Sequence, residues 1–145
     1  RSDFAEPIDS MIYMVTAALG VAAIENVLFL VPVLERSFLS GFELTTNRFL
    51  GANLLHALSS AIVGYALARH MFTPRHKHAV AAGVILAGAL HALFNYFIII
   101  KDAIPTSLLL VILLLFLMAV AVLVEFERLK KPRIITNRGA NNTNT

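Results

Sequence analysis

The sequence predicts an all-α fold, a polytopic transmembrane bundle of about four spanning helices, and three observations lead there. Of its 145 residues, 58% are hydrophobic and only 14% charged, whereas a soluble domain is nearer half apolar and a quarter charged. The mean hydropathy is +0.76. The apolar residues gather into four runs, each close to the roughly 18–25 residues with which a helix crosses a hydrocarbon core. The length suits one compact unit without a separate soluble domain. Residues 1–128 read as a membrane-embedded helical core and residues 129–145 as a basic tail. The polar, low-complexity end from Asn137 to Thr145 reads as disordered.

Taken in order, span A covers Ser10 to Leu34 and is interrupted by Glu25 and its neighbour Asn26. Span B covers Arg48 to Ala68, with His56 as its titratable interior residue. Span C covers Ala79 to Ile100, with His91 inside it. Span D, Pro105 to Val124, holds no ionisable group. Pro105 suits a first helical turn, where its missing N–H would be unpaired in any case.

The connections sort by charge. The B–C connection, 69–78, is basic and holds no acid, and the segment after span D carries Arg128, Lys130, Lys131, Arg133 and Arg138. The A–B connection reads as a mixed loop with Glu35, Arg36 and Glu43, and the C–D loop holds Lys101 and Asp102. By the positive-inside rule the B–C loop and both termini face the cytoplasm. The net charge of +3 thus reports topology, and the partners expected are the lipid bilayer and no nucleic acid. The chain has no cysteine, which excludes disulfides and thiolate chemistry.

Ionisable groups at the middle of a span cost about 2.5–3.5 kcal/mol each on insertion scales. Glu25, His56 and His91 lie on three different spans. Each sits some eight or nine residues below the outer end of its span, or roughly 12–14 Å at 1.5 Å per residue. One shared depth lets the three meet if their helices are neighbours. The faces agree. Ala87, His91 and Asn95 follow at i, i+4, i+8, and Ala52, His56, Ser59, Ser60 and Gly64 form a small, polar stripe on span B. Small residues let membrane helices approach closely. The bland reading is three separate packing residues, each hydrogen-bonded in its own niche. It leaves the common depth unexplained. Proton relays also use polar groups at mid-depth, so a proton-coupled transporter or a non-catalytic membrane subunit is the rival class. Against transport, four spans are few and no inverted repeat is visible. His70, His76 and His78 in the basic connection read as solvated or headgroup-facing.

Four segments resemble the PrsW family of intramembrane proteases, which is related to the type II CAAX prenyl endopeptidases. Phe4 to Tyr13 is similar to its "dep-D-G-x-x-Y" stretch, and Gly20 to Phe29 to "G-F-A-A-x-E-N-x-x-Y". Arg48 to Tyr65 is similar to "R…H-A-x-x-S-x-x-x-G", and His91 to Asn95 to "H-x-L-F-N". The resemblance runs in order over residues 3–96. It implies an intramembrane peptidase acting on a membrane-anchored protein, with anti-sigma-factor-like substrates associated with the family's founding members. It places Glu25, Asn26, His56, His91 and Asn95 on the family's polar positions and Arg48 on its arginine. The family's leading E-E-x-x-K motif is not in this sequence, and an upstream helix carrying it is expected to lie outside the chain. Ser10 stands where glycine is usual and Phe29 where tyrosine is usual.

Two chemistries fit. In a glutamate-type mechanism a carboxylate takes the proton from water, a neutral histidine orients that water, and His91 or Asn95 donates to the oxyanion. Within this sequence Glu25 is the candidate base, whereas the resemblance implies that in the whole family the leading glutamate holds that role and Glu25 orients a histidine. Asn26 and Arg48 support the site. No cofactor is then needed, and this version is preferred. In a metal version Glu25, His56 and His91 ligate zinc and leave one position open for water. The H-E-x-x-H spacing of soluble zinc proteases is not present.

Overall fold

The computed structural model describes residues 6–35, 37–72 and 78–130. These form five α-helices: α1 (Pro7–Leu34), α2 (Phe38–Arg48), α3 (Leu54–Phe72), α4 (Ala79–Ile99) and α5 (Ser107–Lys130). A short π-helix, Phe49–Asn53, joins α2 to α3 without a break. Four segments are long and apolar enough to cross a membrane: Pro7–Leu34, Gly51–Phe72, Ala79–Ile99 and Ser107–Lys130. The chain is therefore an integral membrane protein, as its composition predicts. The tail from residue 131 onward lies outside the described residues, as do residues 73–77 of the B–C connection, His76 among them.

Burial is inverted relative to a soluble protein. Ile24, Leu28, Ile85, Leu109 and Phe116 turn their side chains away from the bundle. Lipid, not water, is the solvent that suits them. The protein core is small: Leu55, Leu58, Phe94, Val111, Leu115 and Met118, where α5 closes over α3 and α4.

The start of α1 follows from its sequence. Pro7 takes the first helical position, and the Asp9 carboxylate accepts a hydrogen bond of 2.9 Å from the Glu6 backbone N–H. Both features satisfy or remove donors that a helix N-terminus leaves unpaired. The helix then continues to Pro32 and ends two residues later.

Two boundaries differ from the sequence reading. The A–B connection is not a loop, because most of it is α2. The polar residues Glu43, Thr45, Thr46 and Asn47 interrupt hydropathy without interrupting helix. Thr45 and Thr46 return their hydroxyls to the carbonyls of Gly41 and Phe42, four residues back, so they satisfy themselves inside a helix. Helix α2 packs on the last turns of α1: a Cβ added to Gly41 would lie 2.6 Å from Leu34 Cδ2 and 3.3 Å from Leu30 Cδ1. Pro105, expected in a first helical turn, instead sits in the turn before α5, which begins at Ser107 and runs on to Lys130.

Helix α3 is the central element. It packs against α1, α4 and α5, and its interface with α1 is the most extensive of the bundle. The contacts Met11 with Gly64 and Glu25 with His56 show that α1 and α3 run antiparallel. At one end the pair touches through small residues. A Cβ on Gly64 would stand 2.6 Å from Met11 Cα and 2.7 Å from the Ser10 carbonyl oxygen. Ser10, where glycine is usual in the family resembled, is wholly buried. Its hydroxyl donates to the Pro7 carbonyl at 2.8 Å, so the extra atoms are absorbed within α1. On the other flank Gly83 of α4 lies against the Ala66 methyl.

Candidate active site

The antiparallel pairing that seats Met11 on Gly64 brings Glu25 level with the start of α3. Glu25 Oε2 lies 3.2 Å from His56 Nε2 and 3.4 Å from an Arg48 guanidinium nitrogen, Nη2. The His56 and His91 rings meet edge to face, with centroids 5.2 Å apart. Glu25, His56 and His91 thus form a row across α1, α3 and α4, with the α3 histidine in the middle. Their three-helix convergence is what a common depth makes possible, and α3 supplies the bridge.

A second row of polar groups lies beside the first. Asn26 accepts a 2.8 Å hydrogen bond from Arg48 Nε on its side-chain oxygen. Its amide nitrogen donates to Asn53 Oδ1 at 2.9 Å. The Arg48 guanidinium carbon also stands 4.2 Å over the centroid of the Phe29 ring, a cation–π arrangement. Arg48 therefore has two acceptors and an aromatic face within the protein. Phe29, which lacks the hydroxyl of the tyrosine usual there, contributes through its ring.

Asn53 is the functional candidate that sequence reasoning missed. The available signal was its i, i+3 relation to His56, which puts the two on one face. Asn95 behaves differently from the other candidates. It stands one turn beyond His91 on α4, is exposed, and makes no hydrogen bond among the described residues. Its neighbour Phe94 is buried instead, with its ring tip 3.3 Å from where a Cβ of Gly51 would be.

Exposure within the cluster is uneven. The side chain of Glu25 is 39% exposed, against 18% for Arg48 and 19% for His56. The carboxylate is more open to an incoming group than either Arg48 or His56. Its Oε2 faces both donors, and Oε1 makes no hydrogen bond among the described residues.

Residues 1–123 match the sequence pattern of a family described as PrsW family intramembrane metalloprotease. The chain belongs to the PrsW family. A curated relative, Protease PrsW of Geobacillus kaustophilus (strain HTA426), is 27% identical over 103 residues, which is 70% of this chain and 43% of the relative. The chain therefore spans less than half the length of that protein. No solved structure matches.

The PrsW family description implies a metal, and the donors here can be tested against it. Among the described residues no three His, Cys, Asp or Glu side chains converge on a point that could hold a metal ion. The oxygen of Glu25 nearest His56 also faces the Arg48 guanidinium at 3.4 Å. A fixed positive charge at that distance opposes a second cation on the same oxygen. The arrangement of these residues does not fit a three-ligand metal site.

Proposed function

We propose that this chain carries the catalytic centre of an intramembrane peptidase of the glutamate type, acting on membrane-anchored protein substrates. The observation that carries the reading is the two-donor grip on one oxygen of Glu25, with the other oxygen left open and the His91 ring packed against that of His56. A general base needs a fixed position and a free lone pair aimed at the proton it removes. Arg48 and His56 supply the first, and Oε1 the second.

In this mechanism Glu25 takes a proton from a water held between its open oxygen and the imidazoles. The hydroxide forms its bond to the carbonyl carbon of the scissile peptide, and the carbonyl π electrons move onto oxygen. Donors near that oxygen stabilise the charge as it develops. Asn95, exposed and without another partner, and His91 are the side chains we assign to this role. Glu25 then returns its proton to the departing amine as the C–N bond breaks. Placing such a centre within the bilayer suits a substrate that is itself lipid-embedded. The basic groups Arg69, His70, Arg128 and Lys130 cluster in the last turns of α3 and α5, which by the positive-inside rule assigns that end of the bundle to the cytoplasm.

The test uses the full-length gene product in liposomes with a single-span reporter. Glu25→Gln and His56→Ala are each expected to lower cleavage by about 10²–10⁴-fold, the contribution of a positioned general base. Undiminished turnover in both variants would rule out this centre. A metal chelator is expected to leave the rate unchanged. Inhibition by chelator with recovery on added zinc would replace the glutamate mechanism with a metal-dependent one.

A further inference from the structure

The π-helix at Phe49–Asn53 has a geometric consequence for the site. Arg48 and Asn53 are five residues apart, and both bond the same side chain, Asn26. In an α-helix of 3.6 residues per turn, positions five apart lie roughly 140° from each other. They could not both face one residue on α1. A π turn, whose hydrogen bonds run i to i+5, returns positions five apart to the same face. The widened turn is therefore what lets one helix grip Asn26 from two sides.

We propose that Asn53 is a positioning residue of this centre, acting through Asn26 on Arg48 and so on the Glu25 carboxylate. The order of donors along the chain is fixed by chemistry. Arg48 has only donors, so it requires the oxygen of Asn26. That turns the Asn26 amide nitrogen toward α3, where it needs an acceptor, and Asn53 Oδ1 provides it at 2.9 Å. With both ends of the Asn26 amide engaged, its plane is held and Arg48 Nε is held with it at 2.8 Å. The guanidinium can then present Nη2 to Glu25 while its face rests on Phe29. Without Asn53 the Asn26 amide can rotate, and Arg48 loses the contact that sets its angle. The catalytic meaning of this chain of contacts rests on the glutamate-type reading above. The contacts themselves do not.

The experiment therefore has two readouts. In the full-length protein labelled with ¹⁵N-arginine and placed in bilayers, the Arg48 Nε–H signal is identified by its loss in Arg48→Lys. Its hydrogen exchange is expected to quicken by about tenfold in Asn53→Leu and in the smaller Asn53→Ser, in line with loss of one hydrogen bond. Asn53→Asp keeps an acceptor and is expected to leave exchange slow. On the single-span reporter, Asn53→Leu is expected to lower kcat by about tenfold with KM unchanged, and Asn53→Asp to restore kcat to within a few-fold. The double variant Asn26→Ala with Asn53→Leu is expected to be no worse than Asn26→Ala alone, because the two act in series. Exchange at Arg48 that is identical in wild type, Asn53→Leu and Asn53→Ser would overturn the proposal, and so would losses that add in the double variant. If Glu25→Gln keeps full activity, the glutamate reading fails, and the exchange result still decides whether Asn53 positions Arg48.

Discussion

The two ends of the α1–α3 interface are held together by different physics. At the Met11 end the helices touch backbone to backbone, with Gly64 against Met11 Cα and the Ser10 carbonyl. At the Glu25 end they are joined by side chains: Glu25 with Arg48 and His56, and Asn26 with Arg48 and Asn53. The first end is a close approach of backbone to backbone at a glycine. The second is more open, and its carboxylate remains partly uncovered. In lipid, helices gain little from burying apolar surface against each other, so close packing and interhelical hydrogen bonds must do that work. This pair of helices uses one means at each end. The Met11 end supplies a close backbone contact, and the Glu25 end holds the ionisable groups.

The comparison predicts that damage at the two ends differs in kind. The largest effect is expected from Gly64→Leu. Even its Cβ would fall 2.6 Å from the Met11 Cα, against backbone that cannot turn aside. Overpacking of this sort costs about 1–3 kcal/mol where side chains can shift, and more is expected where they cannot. Thermal unfolding in detergent should move sharply lower, and reporter cleavage should vanish with the fold. A Gly64→Leu protein that melts like wild type would show that this close contact does not hold the pair together.

Arg48→Lys tests the other end and should separate activity from stability. A lysine brings one point charge and cannot bond Asn26 and Glu25 at once in the guanidinium's planar geometry. Losing a charge-assisted hydrogen bond is worth roughly 1.5–3 kcal/mol, so cleavage is expected to fall by about 10–100-fold. The melting temperature should fall less than in Gly64→Leu, since the Gly64 contact is untouched. Equal losses of stability in Arg48→Lys and Gly64→Leu would erase the distinction between the ends.

The same contrast explains what the sequence revealed. Four spans were legible because lipid leaves little choice: helices satisfy their own backbone and their apolar surfaces face outward. Glu25, His56 and His91 stood out because ionisable groups in apolar runs are expensive enough to be conspicuous. Asn53 did not stand out, since a neutral amide near the end of an apolar span costs little. The π turn left no mark in composition at all. Helix α2 was hidden for the opposite reason, because Thr45, Thr46 and their polar neighbours look like a loop until their hydroxyls are seen returning to their own helix. Asn95 keeps its i, i+4 relation to His91 along α4 and stands exposed one turn beyond it, while its neighbour Phe94 is buried.

Phe29 offers the finest test of the Glu25 end. Its ring lies 4.2 Å from the guanidinium carbon of Arg48 and is itself largely exposed on its other side. An attraction of this type is worth about 0.5–1 kcal/mol at open sites and about 2 or more where water is excluded. Phe29→Leu removes the ring's charge distribution and keeps an apolar side chain, so a several-fold loss of cleavage is expected without a change in melting. Phe29→Tyr keeps the ring and should equal the wild type. If leucine serves as well as phenylalanine, Arg48 is held by Asn26 and Glu25 alone, and the ring beneath it is lipid-facing bulk.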